Sequence, residues 1–187
     1  MTVQRADARR NYARILGVAE EEVAAHGADA SLENIARTAG VGSATVRRHF
    51  PSRQALLEAV FSERIDALVA RATASAGAPD ARAALLEWLG ALTAYASSAR
   101  GLAEALTLAG TDDPDHAPAC CSAKLAGAAD PLLQRAAQAG AVAPGVTAAD
   151  LVTLVTGIVL ATEHHQDPAA EANRLLDLTL RGVVPQG

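Results

Sequence analysis

The sequence predicts an all-α protein, and three observations support this. Half of the 187 residues are hydrophobic, only 3% are aromatic, and alanine and leucine are the commonest residues; these two residues cost least to place in a helix. Apolar residues recur at intervals of three and four along most of the chain, which is the period of an amphipathic helix. No segment shows the strict alternation that is typical of a half-buried strand. About nine helices follow from this pattern.

Three of these helices are predicted in the N-terminal quarter, over residues 5–26, 31–40 and 43–50. Glycine follows or ends the first two, and glycine is the commonest residue just past a helix. Pro51 ends the third, because proline cannot continue a helix.

Six more helices are predicted over residues 52–76, 80–98, 101–109, 117–139, 147–164 and from 167 onward. Several short polar side chains are expected to cap N-termini by accepting a backbone N–H bond: Ser31, Ser52, Thr147 paired with Asp150, and Asp167. Pro131 is expected either to kink the seventh helix or to split it, with Asp130 as the cap of the second piece.

The stretch "AGVGSATVRRHF", residues 39–50, contains two glycines one residue apart. Gly40 and Gly42 fit the opening of a Gly-x-Gly-x-x-Gly phosphate loop, but Thr45 stands at the third glycine position and no strand is predicted before it. The alternative is a turn that joins two short helices and presents the second to a partner. The residues favour this alternative.

The short helix that follows this turn has one apolar side and one polar side. Val46 and Phe50 lie four residues apart and, with Val41, are expected to be core. Its other side carries Ser43, Ala44, Arg47 and Arg48. Residues 1–53 hold eight arginines against six acidic residues, whereas residues 54–187 are strongly acidic. A locally basic segment in an acidic chain is compatible with nucleic-acid binding through that segment alone.

Two short helices joined by "AGVGS" and set against a longer first helix match the helix-turn-helix module. The segment "SLENIARTAGVGSATVRRHFPSRQALLEAVF" resembles the N-terminal domain of TetR-family transcriptional repressors. The resemblance implies a helix-turn-helix DNA-binding domain over 1–52 and a helical effector-binding and dimerisation domain over 53–187. The matching residues are Ile35, Ala36, Ala39, Gly40, Val41, Thr45, His49, Phe50, Arg53 and Leu56.

The resemblance also implies DNA-binding roles. It places Ser43, Ala44, Thr45, Arg47 and Arg48 facing the groove. It places His49 and Arg53 on the DNA backbone. The chain departs from the family pattern at Ala44, commonly glycine, and at Arg47, commonly a tyrosine that touches a phosphate. Arg47 either keeps that phosphate contact or reads a guanine, and we expect Arg47 or Arg48 to read at least one G·C pair in each half-site. His49 alternatively packs beside Phe50.

In this family the remaining helices bind a small effector and form a dimer, which here implies a homodimer through about residues 148–181. Two apolar stripes suit a four-helix interface, and the alternative is that they are buried within one subunit. They are Leu151, Leu154, Val155, Ile158 and Val159 in the eighth helix and Leu175, Leu176, Leu178 and Leu180 in the ninth.

An effector pocket is expected in the C-terminal domain, lined by residues that could alternatively be plain core. Trp88, Leu92 and Tyr95 lie at i, i+4 and i+7, and Leu102, Leu106 and His116 follow them. An apolar bundle of this kind favours a hydrophobic or amphipathic small molecule, which the sequence does not identify.

Together these features predict a homodimeric repressor that binds a palindromic operator and is released by an effector; the alternative is a non-specific or architectural DNA-binding protein. Activation in place of repression stays open. No catalytic motif and no phosphate loop is recognisable, so neither an enzyme nor a cofactor is expected. His116, Cys120 and Cys121 are too few for a metal site. With no leader-like start and no long apolar segment, a cytoplasmic location without a membrane contact is expected.

Overall fold

The computed structural model describes residues 2–99, 101–107 and 121–182. Over these residues the chain forms nine α-helices, one short 3₁₀ turn at Gly27–Asp29 and no strand, so the predicted all-α class is confirmed. The helices are α1 (Thr2–His26), α2 (Leu32–Thr38), α3 (Ser43–His49), α4 (Arg53–Ser75), α5 (Ala81–Ser98), α6 (Leu102–Thr107), α7 (Cys121–Gln138), α8 (Ala148–Thr162) and α9 (Pro168–Arg181). Within the described part of the chain, no helix is both long and apolar enough to cross a membrane.

The predicted N-caps are confirmed. Ser31, Ser52 and Asp167 each accept a hydrogen bond from the backbone N–H three residues further on, at 3.0 to 3.2 Å. Thr147 and Asp150 form a reciprocal capping box at the start of α8. Each cap satisfies a helix N–H that would otherwise lack a partner inside the helix.

The seventh helix settles one of the two alternatives for Pro131, because α7 runs without a break through it. The helix is therefore not split there, and Asp130 does not cap a second piece. Loss of a helix hydrogen bond at an interior proline costs about 3 kcal/mol. The cost is offset because buried Leu125 and Ala129 before the proline and Leu132 and Leu133 after it stay in phase on one face against the core. Pro131 itself points to solvent.

Other helix ends differ by a few residues from prediction. The first helix begins at Thr2, three residues earlier than predicted, and α8 ends at Thr162 rather than at residue 164. The predicted ends at 109 and 117 lie outside the described residues, as do His116 and Cys120.

The fourth helix is shared by both parts of one continuous hydrophobic core. Leu56 and Leu57 near its N-terminus and Ile65 further along are fully buried, and the helix contacts α1 as well as α5, α6 and α7. The indole N–H of Trp88 in α5 donates to the Leu68 carbonyl at 3.0 Å. We call α1 to α3 with the start of α4 the head, and α5 to α9 with the rest of α4 the body.

Two further contacts tie the head and α4 to the body. Arg135 of α7 donates to the carbonyls of Ala76 and Ala78 at 2.5 and 2.7 Å, which fixes the turn after α4. The short helix α6 packs directly against the 3₁₀ turn Gly27–Asp29, between α1 and α2. The head is therefore held to the body by the shared helix α4 and by the contact of α6 with the 3₁₀ turn.

The continuity of α7 generates a prediction for Pro131→Ala. Alanine restores the backbone donor and relieves the clash of the ring with the preceding turn, so we expect the free energy of unfolding to rise by about 1–3 kcal/mol. Part of the gain is lost because proline also restricts the unfolded chain. Chemical denaturation at fixed protein concentration measures the change. Gln134→Ala, also exposed on α7, is the matched control and should change stability by less than about 0.5 kcal/mol; a destabilised Pro131→Ala would contradict this account.

Candidate nucleic-acid interface

The two glycines of the turn form a helix terminator rather than a phosphate loop. Gly40 adopts the left-handed conformation with φ of 64°, while the N–H of Val41 donates to the Ala36 carbonyl at 3.0 Å. This arrangement is the glycine-terminated end of a helix. Gly42 has φ of −69° and precedes α3 as its N-cap, a conformation open to any residue. The four residues between Thr38 and Ser43 therefore end α2 and start α3.

The apolar side of α3 is used completely by the head. Val46 and Phe50 are fully buried, against a core that includes Ile15, Ile35 and Leu56. A helix of seven residues is too short to be stable alone, so this burial is what holds it in place.

The opposite side of α3 is not buried in the head core. Of the seven predicted DNA-binding residues, five are exposed and two are half-buried. Exposed are Ser43, Ala44, Arg47, Arg48 and Arg53; half-buried are Thr45 and His49. Six of the seven lie in α3 and the seventh, Arg53, begins α4; none of them is buried, so all seven can meet a partner.

The three arginines of this surface differ in their partners. Nη2 of Arg47 donates to Oε1 of Glu33 in α2 at 2.6 Å, and Nη2 of Arg53 donates to Oδ1 of Asp29 at 2.7 Å. The hydrogen bond from Arg47 lowers the pKa of the Glu33 carboxyl below its ordinary value. Within the described residues Arg48 has neither a hydrogen bond nor an ion pair, so its guanidinium is available to a partner.

His49 is enclosed by two other rings. Its ring meets that of Tyr12 edge-on at 5.5 Å between centroids, and Phe50 lies at 6.4 Å. This is the packing that the sequence left as an alternative to a backbone contact, and the half-buried ring still borders the free surface. Tyr12 belongs to α1 and is 37% exposed beside His49.

Sequence reasoning missed Tyr12, Glu33 and Asp29 as members of this surface. The period of α1 gave no sign that Tyr12 lies at the edge of the head. Glu33 and Arg47 are fourteen residues apart and Asp29 and Arg53 are twenty-four apart, so no local spacing could have indicated either pair.

The residues predicted for the effector pocket form part of the body's core. Trp88, Leu92, Leu102 and Leu106 are buried, and the indole N–H of Trp88 is satisfied as described above. Tyr95 is half-buried; its burial raises the pKa to about 12 even though the guanidinium of Arg64 opposes this rise. Arg64 lies over the Tyr95 ring at 5.6 Å. An effector cavity around these residues stays a prediction.

Two open grooves lie elsewhere on the body. One, of about 770 Å³, lies where the start of α5 meets the end of α7 and includes Asp80, Arg82 and Arg135. The other, of about 520 Å³, lies between α5 and α9 and includes Arg82, Leu86 and Leu180. The described residues of the predicted pocket line neither groove.

Comparison with known proteins agrees with this architecture. Residues 15–60 match the family model described as bacterial regulatory proteins, tetR family. Residues 80–185, more than half of the chain, match the model described as the C-terminal domain of SbtR-like transcriptional regulators. No curated protein sequence matches the chain. The chain belongs to the TetR family of transcriptional regulators, and the predicted resemblance is confirmed.

Solved structures support the same assignment. The chain is 34% identical to a TetR transcriptional regulator from Streptomyces coelicolor, with 93% of this chain and 98% of that chain covered and a TM-score of 0.55. It is also 34% identical to a TetR transcription regulatory protein from Mycobacterium vanbaalenii, with 96% and 99% covered and a TM-score of 0.50. The regulator FadR from Bacillus subtilis, in complex with stearoyl-CoA, shares the fold at 20% identity, with 92% and 100% covered and a TM-score of 0.59.

The turn before α3 generates a prediction about its two glycines. Neither would place a new Cβ against a neighbour, but only Gly40 has a positive φ. We therefore expect Gly40→Ala to lower the free energy of unfolding by about 1–2 kcal/mol, the cost of the left-handed conformation for an L-residue. Because Gly42 is the N-cap of α3 and alanine is a poor N-cap, the matched control is Gly77→Ala, where φ is not positive and no neighbour lies near a new Cβ; it should change the free energy of unfolding by less than about 0.5 kcal/mol. Equal effects in chemical denaturation would show that backbone strain is not the role of Gly40.

Proposed function

We propose that this regulator is a homodimeric repressor that places α3 in the major groove of a palindromic operator and leaves it when a small-molecule effector binds the body. One observation carries the proposal. The apolar side of α3 is consumed by the head core, while its other side presents Ser43, Arg47 and Arg48 to solvent. A short helix with two exposed arginines is suited to an anionic partner, and the helix-turn-helix geometry fits DNA.

The arginines are assigned different tasks. Arg48 is without a partner among the described residues and reads a guanine through its O6 and N7, a contact that discriminates by about 1–3 kcal/mol. Arg47 reaches the DNA only after leaving Glu33. Arg53 binds a phosphate at the start of α4, where free N–H groups and the positive end of the helix dipole favour an anion. His49 lies beside Arg48 and contacts the backbone with its exposed edge.

The homodimer is proposed to form through α8 and α9. Leu151, Val155, Val159 and Leu176 are buried within the subunit, as the sequence allowed. The other members of both stripes remain accessible: Leu154, Ile158, Leu175, Leu178 and Leu180. Leu178 is 42% exposed, and exposed Gly157 beside Ile158 permits close approach of a partner helix. A dimer presents two copies of α3, which we call the reading helix, to half-sites about 34 Å apart.

Release by an effector follows from the way the head is held. An effector that separates α5, α6 and α7 displaces α4, which is packed against all three, and also alters the contact of α6 with the head. A shift of α4 changes the spacing of the two reading helices. The expected coupling between effector and operator is about 1–3 kcal/mol. The effector is proposed to be hydrophobic or amphipathic, because Trp88 and the leucines around it offer apolar surface.

The test is selection of binding sites from random duplexes at physiological salt. We expect a palindromic consensus for the wild-type protein, and for Arg48→Ala a loss of about 1–3 kcal/mol in binding with relaxed preference at one G·C position in each half-site. Arg82→Ala, an exposed arginine of the body, is the matched control and should keep the consensus. A wild-type protein that binds every duplex equally would instead be a non-specific DNA-binding protein, and the repressor proposal would fail.

A further inference from the structure

Two arginines, one in the reading helix and one at the start of α4, are each paired with a carboxylate of the head. Glu33, in the first turn of α2, is paired with Arg47, and Asp29, in the 3₁₀ turn, is paired with Arg53. The two acids lie in the 3₁₀ turn and in the first turn of α2, and their pairs join this stretch to the surface that we propose faces DNA. A carboxylate oxygen and a phosphate oxygen offer a guanidinium the same kind of charged acceptor. Each acid therefore resembles the ligand that its arginine is proposed to bind.

The pair of Glu33 and Arg47 is placed so that it can open. Only one nitrogen and one carboxylate oxygen are joined, at 2.6 Å. The side chains are 63% and 65% exposed, so neither is locked by packing. Glu33 lies in the first turn of α2, which Ser31 caps, and Arg47 lies in α3, so both backbones are held in helices. The long stem of Arg47 allows its guanidinium to turn from Glu33 to DNA.

We propose that Glu33 competes with DNA for the guanidinium of Arg47 and so limits the affinity of the reading helix for its operator. The inference rests on the proposed function, since it requires that α3 bind DNA. Arg47 can give the Nη2 hydrogen bond to Glu33 or redirect it to DNA, and binding then includes the cost of opening the pair. Arg48 carries no such cost. The contact of Arg48 with DNA, unlike that of Arg47, is therefore not weakened by a competing carboxylate.

The charge of Glu33 is maintained at neutral pH. Its pKa lies below the ordinary value because Arg47 donates a hydrogen bond to it, so the carboxylate is ionised wherever DNA binding is measured near neutrality. A neutral amide of the same shape removes the charge while leaving the length of the side chain unchanged. Glu33→Gln is therefore the variant that isolates the competition.

The experiment is a double-mutant cycle measured by fluorescence anisotropy on the selected operator and on a random duplex. Exposed ion pairs contribute up to about 1 kcal/mol, and the range of about 0.4–1 kcal/mol corresponds to the roughly 2- to 5-fold tighter operator binding that we expect of Glu33→Gln relative to wild type. In the Arg47→Ala background the same substitution should change affinity by less than about 1.5-fold, because no guanidinium remains to be released. A gain on the operator alone assigns Arg47 to a base; an equal gain on both duplexes assigns it to a phosphate.

A matched control separates competition from general charge. Glu87 of α5 pairs with Arg71 of α4 at the same distance of 2.6 Å and with similar exposure. Arg71 lies about 27 Å along α4 from Arg53, at 1.5 Å per residue. Glu87→Gln should leave DNA affinity unchanged, and thermal melting confirms that each variant is folded. If wild type binds DNA but Glu33→Gln binds no more tightly, the competition is wrong and the proposed function stands. An equal gain in the Arg47→Ala background means simple repulsion of DNA by Glu33, which also overturns it. If wild type binds neither duplex, the proposed function itself fails.

Discussion

The structure depends on the burial of one helix, α4, against both the head and the body within one continuous core. The N-terminal end of α4 is part of the head, where Leu56 and Leu57 are fully buried, and its later turns are part of the body, where Ile65 is fully buried. Burial of a leucine or isoleucine is worth roughly 1.5–3 kcal/mol, so neither end can leave the core cheaply. The bond from Trp88 to the Leu68 carbonyl adds a fixed register between α4 and α5. A displacement of the body therefore either moves the head with it or strains α4.

That constraint explains how so small a surface can be presented in a fixed position. The reading helix α3 has seven residues and depends on Val46 and Phe50 for its place in the head. Its polar side contributes nothing to the core, so its residues are available for recognition. The surface is also partly self-neutralised, because Glu33 and Asp29 hold two of its three arginines. Shape is set by the head core, whereas affinity is set by which ion pairs must open.

Much of the fold could be predicted because its signals are local. Ser31, Ser52 and Asp167 cap helices in the way that their sequence context indicates, and Gly40 ends α2 for a conformational reason visible in the sequence. The continuity of α7 through Pro131 could not be predicted, because it depends on buried leucines that pack against other helices. The candidate DNA surface came from a pattern of residues in α3 together with a family resemblance. Its acidic partners, in contrast, become adjacent only after folding.

The central claim is that the free side of α3 is the surface that meets DNA. The most direct measurement is NMR of the arginine side-chain Nε–H signals during titration with the selected duplex. The account predicts that signals of Arg47, Arg48 and Arg53 shift, while that of Arg135, which is bonded to the turn after α4, stays in place. Shifts confined to arginines of the body, or no shift at α3 when the duplex is bound, would contradict it.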